Sequence, residues 1–115
     1  MVRDQADALF VSPDPFLISR RVQIAITAAR HGIPTVAPYR EEVEAGALMS
    51  YGTDIDDVYR QVGDYTVRVL KGEKPAEMPV QQTTKFEFLI NLTTARVIGL
   101  DIPPSLLARA DEVIE

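Results

Sequence analysis

A chain of 115 residues with 46% hydrophobic residues has the size of one domain, the material for a real core, and an ordinary globular composition rather than a disordered one. A net charge of −5 and basic residues scattered outside Arg20-Arg21 argue against a nucleic-acid partner. The absence of cysteine excludes disulfides, zinc-thiolate sites and thiol catalysis, and the single histidine, His31, excludes a two-histidine metal site and disfavours a histidine-dependent triad.

The opening Met1-Val2-Arg3-Asp4-Gln5 carries no charged-then-apolar leader and no small-residue cleavage site. No apolar run approaches the ~18 residues of a membrane span. The reading is a soluble chain that starts as if in the middle of something larger.

Ala8 to Ser12 reads as a strand buried on both faces. Pro13-Asp14-Pro15 follows; Asp14 suits a helix N-cap and Pro15 the first helical position. A single helix is expected over Phe16 to His31, with Ile18, Val22, Ala25, Ile26 and Ala29 as its apolar stripe and Gly32 as its stop. Ile33 to Ala37 is a second strand, and Arg40 to Ala45 one or two helical turns ended by Gly46. Ala47 to Tyr51 is a third strand broken at Gly52, after which Thr53 or Asp54 caps a helix from Ile55 to Lys71. Ile55, Val58, Tyr59, Val62, Thr66 and Val69 share one face of that helix.

Residues 73–84 form a linker kept extended by Pro75 and Pro79. Phe86 to Leu92 is the clearest strand, its apolar residues alternating at Phe86, Phe88, Ile90 and Leu92; the Phe86/Phe88 pair is read as core. Thr93 or Thr94 caps a short helix through Ile98, and the tail is helical over Ser105 to Ala110. The alternation of strand, helix and strand predicts a parallel α/β sheet layer, with ligands at the carboxyl ends of the strands.

Six segments in order carry a resemblance. They are Ala6 to Val11 with Pro13-Asp14-Pro15, Val43 to Gly52, Leu70 to Ala76, Lys85 to Leu92 with Thr94-Ala95, and Ile102 to Ile114. Together they resemble the C-terminal part of ABC transporter substrate-binding proteins, in the group whose characterised members bind aromatic amino acids. The resemblance implies the second lobe of a type I periplasmic-binding-protein fold, a three-layer parallel α/β architecture. It implies a small-molecule solute, an amino acid or an aromatic compound, and a permease partner outside the cytoplasm. It also implies that the Ile55 to Lys71 helix packs on a first lobe that this chain lacks, and that the chain is a fragment or truncated form. With that helix uncovered, a homodimer is expected.

The site residues follow from the strand ends and the resemblance. Ser12, Asp14 and Phe16 lie where the family's first ligand loop lies; Asp14 either meets a solute or caps the helix. The second proline and Phe16 depart from the family's usual hydroxyl, Asp and Asn there, which points to a more apolar or aromatic solute. Tyr39 and Arg40 follow the second strand; Arg40 either pairs with a solute carboxylate or is a solvated loop charge. Tyr51 and Asp54 follow the third; Asp54 either binds an amino group or caps. His31 is read as a surface residue complementing a helix dipole. With no glycine-rich phosphate loop, nucleophile elbow or acidic metal cluster, no cofactor, metal or enzyme activity is expected. Two other functions share these features: a ligand-sensing regulator of the same fold, and an interaction module without ligand.

Overall fold

The computed structural model describes residues 6–81 and 85–115; the N-terminal Met1 to Gln5 and the last three residues of the expected linker, 82–84, lie outside the described residues. The chain forms two compact units, one comprising the chain up to Gly52 and from Glu87 onward, the other Thr53–Phe86.

The first unit is built on a five-stranded sheet in the order β1-β2-β3-β4-β5. Strands β1 (Leu9–Phe10), β2 (Thr35–Ala37) and β3 (Met49–Thr53) are parallel, in the registers Leu9↔Thr35 and Val36↔Met49. Strand β4 (Phe86–Asn91) pairs in parallel with β5 (Glu112–Ile114) through Leu89↔Glu112. The Asn91 amide bonds to the Leu48 carbonyl at one end of the β3–β4 pair and the Asp54 amide to the Lys85 carbonyl at the other, so β4 runs antiparallel to β3. The sheet is therefore parallel except at one junction.

Helices α1 (Pro15–Ser19) and α2 (Arg21–Arg30) replace the single helix expected over Phe16 to His31. The break is at Arg20, whose amide is shared between the Phe16 and Leu17 carbonyls, while the Ser19 hydroxyl donates back to the Phe16 carbonyl. With the break the buried side of α2 becomes Ala25 and Ala28, and Val22 and Ile26 of the expected stripe face solvent. Gly32, at φ 64, ends α2 and lets the Ile33 amide fold back to the Ala28 carbonyl. His31 donates from Nδ1 to the Thr27 carbonyl at the exposed end of the helix.

The core of this unit contains Ala37, Val43, Ala47 and Leu89, with Ile114 packed against it. Val43 comes from α3 (Arg40–Glu44), the helical turn expected after β2. Two aromatic residues expected in the core lie largely outside it at the sheet's margins. Phe10 is 65% exposed, because β1 is a two-residue edge strand, and Phe86 is half-exposed at the start of β4. Gly52 does not break β3 but lies within it, pressed so close to the Pro38 carbonyl that a Cβ there would sit 2.2 Å from the oxygen.

Helix α5 (Leu92–Ile98) is capped by Asn91 rather than by a threonine: its Oδ1 accepts from the Thr94 amide at 3.1 Å. The Asn91 Nδ2 donates to the Val43 carbonyl at 3.1 Å, so this one buried side chain joins β4, α5 and the end of α3. Thr94 instead donates its hydroxyl to the Gly46 carbonyl. In the tail, helix α6 is confined to Pro104–Leu107, and β5 follows, a strand the sequence reading lacked. It is held by Asp111, whose carboxylate accepts from the Phe88 amide at 2.7 Å while its own amide donates to the Phe88 carbonyl.

The second unit is helix α4 (Ile55–Leu70), then a 3-10 turn at Pro75–Glu77 and an extended stretch. Asp54 caps α4 by accepting from the Asp57 amide, Asp56 and Asp57 occupy its first turn, and Arg68 its last. Tyr65 bonds to the Pro79 carbonyl and lays that stretch along one side of the helix. No residue of α4 is buried.

Candidate functional site

Parallel pairing puts the carboxyl ends of β1, β2 and β3 at one edge of the sheet, so the loops that follow them open in the same direction. The register extends this to named residues: continuing Phe10↔Val36 and Ala37↔Ser50 by one or two steps sets Ser12, Pro38 and Tyr51 level with one another. The antiparallel β4 begins where β3 ends, which brings Glu87 and Phe88 to that same edge.

Ser12 and Asp14 are exposed in the loop from β1 to α1, and Phe16 is exposed in the first turn of α1. Asp14 accepts from the Phe16 and Leu17 amides at 2.8 and 3.3 Å, which orients its carboxylate, and the Phe16 ring lies beneath the Arg20 guanidinium at 5.5 Å. Tyr39 precedes α3 in extended conformation and is half-buried. Tyr51 is 63% exposed and meets Phe88 edge-to-face, with ring centroids 6.1 Å apart. Phe88 is thus an edge aromatic that sequence reasoning assigned to the core. Its alternation with Ile90 was visible, but not the strand direction that puts it beside Tyr51.

Arg40 sits at the start of α3 among three carboxylates. It reaches Glu112 at 2.6 Å, Glu44 at 2.7 Å and Glu87 at 3.5 Å, which ties α3 to both β4 and β5. The hydrogen bonds to Glu112 and Glu44 raise its pKa further above the usual arginine value, and the bond from Arg40 lowers that of Glu112. Glu44, Glu87 and Glu112 were not singled out in the sequence; the spacing of Arg40 and Glu44 signals a helical pair, whereas the other two partners depend on tertiary structure. Asp54 belongs to the second unit, where it caps α4.

One carboxyl near this edge is not on it. Glu42 of α3 is buried to 3% exposure, its Oε1 has no hydrogen-bond partner among the described residues, and burial pushes its pKa up, with Glu41 adding to the effect and Arg21 opposing it. A cavity of about 360 Å³ lies beside β1, lined by residues including Leu9, Val11, Leu17 and Ile24, and a larger one of about 690 Å³ lies within the second unit. None of the seven predicted site residues lines either cavity. Among the described residues no group of three or more His, Cys, Asp or Glu side chains is placed to hold a metal, and no helix is long and apolar enough to cross a membrane.

The model of the ABC transporter substrate binding protein family matches residues 1–114. The chain belongs to that family. The chain is 27% identical over 94 residues to a tyrosine-binding protein of Clostridioides difficile, a match covering 82% of this chain and 27% of that protein. It is similar to the crystal structure of a conserved domain protein from Vibrio cholerae, with a TM-score of 0.89 and 28% identity, over 97% of this chain and 38% of that one. It is similar also to the structure of an ABC domain in complex with L-Trp from Streptococcus pneumonia, with a TM-score of 0.88 and 31% identity, over 98% of this chain and 38% of that one. The chain thus spans about a quarter of the curated relative's length and under two-fifths of each of these solved structures. Its mostly parallel α/β fold is the fold of those neighbours.

Proposed function

We propose that this chain forms one wall of the solute site of an ABC-type uptake system, with an amino acid or another small aromatic solute received at the carboxyl edge of β1 to β3. What supports this reading is that the segments leaving β1 and β2 and the end of β3, which carry Ser12, Asp14, Phe16, Tyr39 and Tyr51, open at the same edge of the sheet. Exposed rings supply apolar contact for a flat side chain, and an oriented carboxylate meets an ammonium group. Two relatives, a tyrosine-binding protein and an ABC domain in complex with L-Trp, support the aromatic class. Arg40, already bonded to three carboxylates of its own chain, is proposed to position α3 and Tyr39 rather than to grip the solute. Asp54 is proposed to set the start of α4 at the boundary of the two units. The rest of the site, a permease partner and an extracytoplasmic location belong to the same proposal.

Native mass spectrometry of the protein purified without refolding identifies the retained solute, and calorimetric titration with L-tyrosine and L-tryptophan gives its affinity. Asp14→Ala removes both cap and charge, whereas Asp14→Asn keeps a good cap without the charge. Loss of binding in both variants, with stability lowered only in Asp14→Ala, supports a solute contact. Full affinity in Asp14→Asn reduces Asp14 to its capping role.

A further inference from the structure

Glu42 is a buried acid that the solute edge does not use. Its Oε1 is removed from water and unpartnered among the described residues. Its backbone is held on both sides: the amide donates to the Tyr39 carbonyl at 3.2 Å, and the carbonyl accepts from the Ala47 amide at 2.9 Å. The side chain is thereby kept at the seam, where a charge has to be met by a partner from a neighbouring element.

Helix α3 packs on α2 and on β2. Strand β2 offers no titratable group, and Glu44, Glu87 and Glu112 face Arg40 instead. On α3 itself Glu41 disfavours a charge on Glu42, and on α2 Arg21 is close enough for its own charge to favour one. Arg21 is engaged elsewhere. Its Nη1 donates to the Ile18 carbonyl at 3.0 Å, and it makes no ion pair among the described residues. A guanidinium bonds a carboxylate more strongly than a neutral carbonyl. The charge on Glu42 therefore decides between two acceptors for Arg21. Ile18 belongs to α1, which carries Phe16, and Glu42 to α3, which Tyr39 precedes.

We propose that Glu42 and Arg21 form a proton-operated latch between α1 and α3. With Glu42 protonated, Arg21 rests on the Ile18 carbonyl. When Glu42 gives its proton to solvent, Arg21 moves onto the carboxylate and α1 loses that bond. The segments that follow β1 and β2 are thus coupled to pH through one side chain. The latch does not rest on the solute reading, and its test needs no solute.

Nuclear magnetic resonance of the whole 115-residue chain, from about pH 4 to about pH 8, follows the Glu42 Cδ and the backbone amides. The Glu42 carboxyl titrates above the ordinary glutamate value, and the amides of Ile18, Ser19 and Arg20 shift with the same midpoint. In Glu42→Gln that shared transition disappears from both helices. In Arg21→Gln the Glu42 midpoint rises, because the opposing charge is gone, and the α1 amides no longer follow it. A Glu42 carboxyl that titrates at the ordinary value overturns the proposal. So do α1 amides that ignore Glu42 in the wild type, or that still follow it in Arg21→Gln.

Discussion

Removing the Asn91 side chain tests the junction that connects three elements of the first unit. In Asn91→Ala the Thr94 amide loses its cap and the Val43 carbonyl loses one of two donors, keeping the Gly46 amide at 3.0 Å. Loss of an asparagine cap costs about 0.5–2 kcal/mol. Loss of one buried hydrogen bond whose acceptor stays paired costs about 0.5–1.5 kcal/mol. The two effects share one side chain and overlap, so the expected loss is about 1–3 kcal/mol, a sizeable part of the ~5–15 kcal/mol that holds a domain together. At about 4 °C per kcal/mol for a chain of this size, the melting temperature falls by about 4–12 °C. Urea and thermal unfolding measure it. Asn91→Asp separates the two contributions, because it keeps the cap but at neutral pH sets a carboxylate oxygen against the Val43 carbonyl. Its deficit shrinks in acid, where a protonated carboxyl donates again. A loss within about 0.5 kcal/mol of wild type for Asn91→Ala refutes the assignment of this side chain as a shared anchor.

Gly52→Ala places a methyl group against the Pro38 carbonyl, backbone against backbone, and costs about 1–3 kcal/mol, whereas Gly63→Ala meets open space in mid-helix and stabilises by about 0.5–1 kcal/mol; equal effects of the two in urea unfolding contradict the packing described. Glu42 has a raised pKa in the folded state, so its contribution is fully present below the ordinary glutamate value and is lost as pH rises through the raised one. Glu42→Gln should therefore match wild type near about pH 4 and exceed it in stability near about pH 7, as measured by the difference between their unfolding midpoints. Arg40→Gln removes the bonds to Glu112, Glu44 and Glu87, and amide exchange in β5 should quicken by about two- to fivefold, the worth of an exposed ion pair. Because Arg40 lowers the Glu112 pKa, the stabilisation is present above the ordinary glutamate value and lost as pH falls through the lowered one. The difference between variant and wild type therefore fades in acid.

The sequence exposes the elements that strong punctuation bounds. Gly32 and Gly46 end α2 and the α3 turn, Asp54 starts α4, and the apolar run of β4 needs no neighbour to be recognised. It conceals what depends on partners. Nothing near Arg20 marks a helix end except Ser19, whose hydroxyl competes for the Phe16 carbonyl. Strand β5 is three residues long and exists because Asp111 holds Phe88, which lies 23 positions away. Asn91 was read as a strand residue and is also a cap, since β4 turns into α5 without a loop. For the site, parallel strand ends were legible from the alternation of elements. That Phe88 and Glu87 join them was not, because it follows from the direction of β4.

The excursion between β3 and β4 has its own consequence. The polypeptide leaves the sheet at Thr53 and re-enters at Phe86, and the Asp54 amide bonds to the Lys85 carbonyl at 3.0 Å, so the doorway out is also the doorway back. The sheet does not need the intervening residues for its continuity: an ordinary hairpin turn joins antiparallel neighbours at that point. Whatever selection acts on α4 can lengthen, shorten or replace it while the register of the five strands stays as it is. In that sense the chain carries a cassette, open to change on its own, inserted into a framework that sets the geometry of the edge.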